Sequence, residues 1–127
     1  MRDDSVQEWL TYAKNDLETA QFLLDNKKHP GHTLFHCHES IEKYLKAIIL
    51  KRNKEIPYVH QLYSLLKEAE ISERDTMKVL NASIVLDELY RAARYPSGDK
   101  EVSRSEAQEA IRRSREIETI LLTYLDS

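Results

Sequence analysis

Apolar positions along this chain recur every three to four residues, and no segment alternates with the period of two that marks a strand. Val6, Trp9, Ala13, Leu17, Ala20 and Leu24 form one stripe at ~100° per residue, which predicts a first helix from about Ser5 to Asn26. Ser5 and Glu8 have the spacing of a capping box, in which each side chain satisfies an otherwise orphaned backbone N–H. Phe22 projects opposite the stripe and marks a second contact surface. Leu34, Cys37, Ile41, Leu45 and Ile48 predict a second helix from about His32 to Arg52, and a shorter third covers about His60 to Ala69. Ser72 and Asp75 open a fourth, from about Glu73 to Tyr95, with Val79, Ala82, Leu86, Leu89, Tyr90 and Ala93 as its stripe. A fifth starts at Ser103, where Glu106 completes another capping box, and runs to about Leu125 with Ala110, Ile117, Leu121 and Tyr124 facing inward.

The two glycines and three prolines fall between these segments, at Pro30 and Gly31, Pro57, and Pro96 and Gly98. Four long amphipathic helices with short connections predict an all-α fold, an antiparallel up-and-down four-helix bundle with one additional short helix in the crossover. No repeat, low-complexity stretch or boundary interrupts the pattern, so residues 1–127 read as a single helical domain.

Composition narrows this picture only a little. An apolar content of 41% supports one sound core. No apolar run approaches the ~18 residues of a membrane span, and "MRDDSVQEW" lacks the apolar stretch of a signal peptide. With Cys37 alone, no intrachain disulfide can form, and a cytoplasmic location without membrane association is expected. The net charge of −3 argues against binding duplex nucleic acid by bulk electrostatics, while leaving room for a local basic patch.

The stretch "LFHCHESIEKYLKAI" carries the densest chemistry. His36 and His38 are separated by ~200° of helical arc and cannot share a metal. His32 and His36 stand one turn apart, but His32 lies where the helix is only starting, and no ExxH pair offers a di-iron site. No metal and no cofactor are therefore expected. The structural reading places Cys37 in the core, His38 at its border and His36 in solvent. His38 lies one turn before Glu42, and that pair would orient the imidazole or simply satisfy it. Lys43 and Lys46 project away from the core stripe, either extending a basic surface or standing as solvated lysines beside Glu39 and Glu42. Arg112, Arg113 and Arg115 on the last helix are blunted by Glu109, Glu116 and Glu118.

On the fourth helix, Ser83, Asp87, Arg91 and Arg94 form one polar strip, with Tyr90 beside it and Tyr95 and Pro96 following. Guanidinium groups bind phosphate bidentately, and tyrosine stacks on bases. The structural alternative pairs Asp87 with Arg91 and leaves Arg94 to cap the helix, which ends at "RYP" because a residue before proline leaves the α region.

Four segments together resemble the HEPN family (higher eukaryotes and prokaryotes nucleotide-binding domains). "WLTYAKNDLETAQFLL" is similar to that family's opening W-L-x-x-A-x-x-D-L-x-x-A, and "FHCHESIEKYLKAIIL" to its aromatic-H-x-x-x-x-x-E-K-x-L-K-A core. "HQLYSLL" resembles H-x-L-x-x-L-L, and "LDELYRAARYPSG" resembles the L-x-x-x-Y-x-x-x-R-Y-P of one branch. The resemblance spans nearly the whole chain. It implies a helical bundle, usually homodimeric, associated with nucleotides, RNA or a separately encoded nucleotidyltransferase.

Ribonuclease members of the family carry R-x(4–6)-H before the last helix. Here no histidine follows Arg91 or Arg94, and seven residues and Pro57 separate Arg52 from His60. The expectation is a non-catalytic module with no catalytic residues, whose ligand site comprises Arg91, Arg94, Tyr95, Tyr90 and Asp87. His38, Glu42, Lys43, Lys46 and His60 would support it. Two alternatives remain: a divergent single-strand ribonuclease using His38 or His60 with Arg94, and a ligand-free dimerisation scaffold.

Overall fold

In the computed structural model, which describes residues 2–59, 61–94 and 101–126 and the side chains of 5–59, 61–91 and 101–126, all regular structure is helical. The helices are α1 (Arg2–Asp25), α2 (Pro30–Lys51), α3 (Leu62–Ala69), α4 (Glu73–Arg94) and α5 (Arg104–Leu122).

Helix ends follow local chemistry. At α5 both halves of the Ser103–Glu106 capping box form. At α4 the Ser72 hydroxyl accepts from the Asp75 N–H at 3.1 Å. Helix α2 starts two residues earlier than periodicity indicates, at Pro30, because proline's fixed φ suits the first helical position and its missing N–H has no partner to lose there. The expected capping box at Ser5 is overturned. α1 already runs from Arg2, so Ser5 lies inside the helix. α3 begins at Leu62 rather than His60, and His60 lies outside the described residues.

The predicted stripes form the core: Ala13, Leu17, Ala20, Leu34, Ile41, Leu45, Ile48, Val79, Leu86, Ile117 and Leu121 are all buried. Trp9, Leu89 and Tyr124 pack at its edge, and Phe22 is exposed. The side chain of Ala93 lies outside the described residues. Helix α2 packs against each of the other four helices. It is consequently buried on almost every side, including Thr33, His38, Ser40, Glu42, Tyr44 and Lys46 beyond its apolar stripe.

This central position corrects three expectations. His36 is not in solvent: its Nδ1 lies 2.9 Å from Asp16 Oδ1 on α1, where the packing of α1 on α2 brings them together. Lys43 and Lys46 are not solvated either, since neighbouring helices flank both. Lys43 donates to Asp16 at 2.5 Å. Lys46 is 8% exposed, with its ammonium 5.4 Å from the centre of the Trp9 ring and 3.7 Å from Glu42. The arginines of α5 do pair with their own helix, Arg112 with Glu109 and Glu116, Arg113 with Glu109, and Arg115 with Glu118. Among the described residues no helix is long and apolar enough to cross a membrane.

Candidate functional site

Where α2, α4 and the start of α3 converge, a groove of about 480 Å³ opens. α2 contributes His38, Glu39 and Glu42; α3 contributes Leu62 and Tyr63, preceded by Gln61; α4 contributes Asp87, Tyr90 and Arg91. The i, i+1, i+4 positions of the first set and the i, i+3, i+4 positions of the last each mark one face of a helix.

The best-ordered group in the groove is His38. The residue is 5% exposed, and its ring stacks on Tyr90, with centroids 4.4 Å apart and planes 15° from parallel. Its Nε2 lies 3.2 Å from Asp87 Oδ1. The expected partner one turn on, Glu42, instead stands 3.7 Å from Lys46. The correction has a simple cause: α4 lays Asp87 against the imidazole edge, and Asp87 therefore turns to His38 rather than to Arg91. The other ring nitrogen, Nδ1, is sealed from water and has no hydrogen-bond partner. One ring nitrogen of His38 and one oxygen each of Glu39 and Glu42 lie within 4.8 Å of one another.

Of the residues singled out from sequence, Asp87, Tyr90, Arg91, His38 and Glu42 share this groove. Lys43 and Lys46 stand outside its lining, engaged with α1. The Arg94 side chain, Tyr95 and His60 lie outside the described residues. Sequence reasoning does not place Glu39, Gln61 and Tyr63 in a groove. The signal for the last two is the stretch "HQLYSLL", whose periodicity indicates only a short helix.

The groove mixes charges. Arg91 is exposed on α4, while Glu39, Glu42 and Asp87 are acidic. Glu39 and Glu42 each have a lysine one turn on, Lys43 at 3.8 Å and Lys46 at 3.7 Å. The Gln61 side chain makes no capping hydrogen bond at the head of α3, so the first N–H groups of that helix have no side-chain cap from it. Tyr63 is 55% exposed and Phe35, 6.2 Å from Tyr90, is 42% exposed, so aromatic surface lies within and beside the groove.

Comparison with solved structures finds two similar folds. The protein TT1696 of Thermus thermophilus superposes with a TM-score of 0.78 at 25% identity, covering 94% of this chain and 97% of that one. ST0689, described as an archaeal HEPN homologue, superposes with a TM-score of 0.72 at 20% identity, covering 93% of this chain and 95% of that one. No curated protein is significantly similar in sequence. The family model for the HEPN domain matches residues 6–123, a span that contains every described residue of the groove, and the chain belongs to the HEPN family.

Proposed function

We propose that this chain is a non-catalytic HEPN module that binds a nucleotide or another phosphate-bearing ligand in the α2–α3–α4 groove. It acts as a homodimer, alongside a separately encoded minimal nucleotidyltransferase in a two-component system of toxin–antitoxin or modifying type. In this reading its four long helices run up and down in an antiparallel bundle, with α3 in the crossover, and residues 1–127 act as one unit.

The observation that carries the ligand reading is the placement of Arg91, exposed at a groove that also holds Tyr63, Tyr90 and the head of α3. A guanidinium and a helix N-terminus both favour phosphate oxygens, and an exposed tyrosine ring offers a stacking face for a base. The non-catalytic reading is supported by His38. General acid–base work needs a ring nitrogen within reach of substrate. Here Asp87 occupies Nε2, and Nδ1 is sealed from water.

Calorimetric titration of ATP and of a short single-stranded RNA into wild type and Arg91→Ala tests this. Arg91→Ala is expected to weaken binding ~10-fold, the loss of one charge-assisted contact of ~1.5 kcal/mol. No binding by wild type, or equal binding by both proteins, overturns the site and favours the ligand-free scaffold. RNA cleavage abolished by His38→Ala would replace the reading with the divergent ribonuclease.

A further inference from the structure

We propose that the turn between α1 and α2, together with the head of α5, forms a binding site for a phosphate group, separate from the α2–α3–α4 groove. A small cavity of about 70 Å³ opens there, lined by Leu24, Lys27, Lys28, Pro30, Thr33 and Arg104. It shares no lining residue with the groove. Its volume is that of ~two water molecules, room for one phosphate group and not for a base.

Charge is the first ground. Lys27, Lys28 and Arg104 are exposed, and among the described residues none of them is ion-paired. The nearest acid in sequence, Asp25, accepts from Gln21 instead. Arg104 makes one long contact, 3.5 Å from its Nη2 to the Leu24 carbonyl, which holds the guanidinium at the cavity. Elsewhere in this chain of net charge −3, Lys43, Lys46, Lys54, Arg112, Arg113 and Arg115 each stand beside a carboxylate. Three neighbouring cations repel one another, and an anion between them removes that repulsion. Lysine meets phosphate as a point charge, and arginine adds paired N–H donors.

Hydrogen-bonding capacity is the second ground. No side chain caps the N-terminus of α2, where the helix dipole favours an anion. Thr33, on the cavity wall, is fully buried, and its hydroxyl has no hydrogen-bond partner. The turn itself presents the two lysines. Lys28 donates its backbone N–H to the Leu23 carbonyl at 2.9 Å and Lys27 to that of Leu24 at 3.1 Å, the paired bonds of a Schellman ending to α1. The left-handed position of that motif usually holds glycine, and here it is Lys27, with a φ of 54°. A cation thus stands where glycine would be easier on the backbone.

The test is titration of inorganic phosphate into isotopically labelled full-length protein at constant ionic strength, read by backbone amide resonances. Wild type is expected to show saturable shifts centred on Gly31, His32 and Thr33. Lys27→Gly weakens binding ~10-fold, the loss of one charge-assisted contact. Its melting temperature stays level or rises, because glycine relieves the positive φ. Lys28→Ala, at an exposed position, is expected to weaken binding similarly, and Lys14→Ala, exposed elsewhere on α1, leaves it unchanged. A short single-stranded RNA without terminal phosphates distinguishes the source. The same amide shifts at lower concentration assign the site to the backbone of a strand, and shifts with inorganic phosphate alone assign it to a free or terminal phosphate. Shifts that never saturate or that spread over the whole surface, or an affinity unchanged in Lys27→Gly and Lys28→Ala, overturn the proposal. The groove reports through its own amides, those of Glu39 and Asp87, so the two sites can fail independently.

Discussion

The carboxylate of Asp16 holds two side chains of α2 at once, His36 at 2.9 Å and Lys43 at 2.5 Å. Neither pairing is legible in the sequence. Helical spacing says which residues share a face of one rod, but these partners lie 20 and 27 positions away, and only the docking of α1 on α2 joins them. The same limit explains His38, for which spacing offers Glu42 while packing supplies Asp87. Cys37, in contrast, is read correctly from its place on the stripe. It is buried, and burial pushes its thiol up to about 11, so it is an inert core residue. Tyr44 makes a sharper test of residue-scale energetics. It is fully buried, and its hydroxyl donates to Glu118 of α5 at 2.5 Å; burial first, and then this hydrogen bond, push the phenol upward. Tyr44→Phe removes that donor. Glu118 retains Arg115 at 3.4 Å and some access to water, so the expected loss is about 1–2 kcal/mol rather than the full cost of an unpaired buried charge. Urea denaturation of both proteins measures it, and an unchanged midpoint would show that the hydrogen bond contributes nothing net.

At the scale of the element, short-range signals succeed where they are self-contained. The Ser103–Glu106 box involves only residues three apart, and it forms as its sequence predicts. The similar signal at Ser5 fails because α1 extends past it. The exposed face of α5 follows the same local logic. Glu109 accepts from Arg112 and from Arg113, and those hydrogen bonds, Arg112 foremost, hold its carboxyl down to about 2 from an ordinary 4.5. A carboxyl held below its unfolded value contributes stability above that value and loses it as protons return. The contribution is therefore present above pH 4.5 and fades as pH falls to about 2. Glu109→Gln is expected to show a smaller drop in melting temperature across that window than wild type. The difference should shrink at high salt, because Arg112 and Glu109 are solvent-exposed in large part. Parallel pH profiles would show that the pairing is energetically silent.

For the whole molecule, the groove belongs to no single helix. It exists only while α2, α3 and α4 are docked, and α2 packs against both of the others and against α1 and α5 as well. Periodicity alone identifies α2 as one amphipathic rod among several, because a stripe shows where a core begins and not how many neighbours a helix has. The central role shows only in burial, where polar positions such as Ser40, Glu42 and Lys46 are enclosed along with the stripe. Ser40 makes the point in one contact, its hydroxyl donating to the Ala13 carbonyl of α1 at 2.7 Å. If α2 is the hub, damage to its centre is expected to be felt everywhere at once. Leu45 is fully buried there, and Leu45→Ala should cost about 2–5 kcal/mol by lost transfer energy and the cavity left behind. The lone tryptophan, Trp9, lies against Lys46 of α2 and so reports on the α1–α2 contact, whereas circular dichroism reports on all five helices. In Leu45→Ala the two signals should shift together to one lower urea midpoint. If tryptophan fluorescence changed before the helical signal, α1 would be leaving a still-folded remainder, and the groove would then depend on fewer helices than this packing implies.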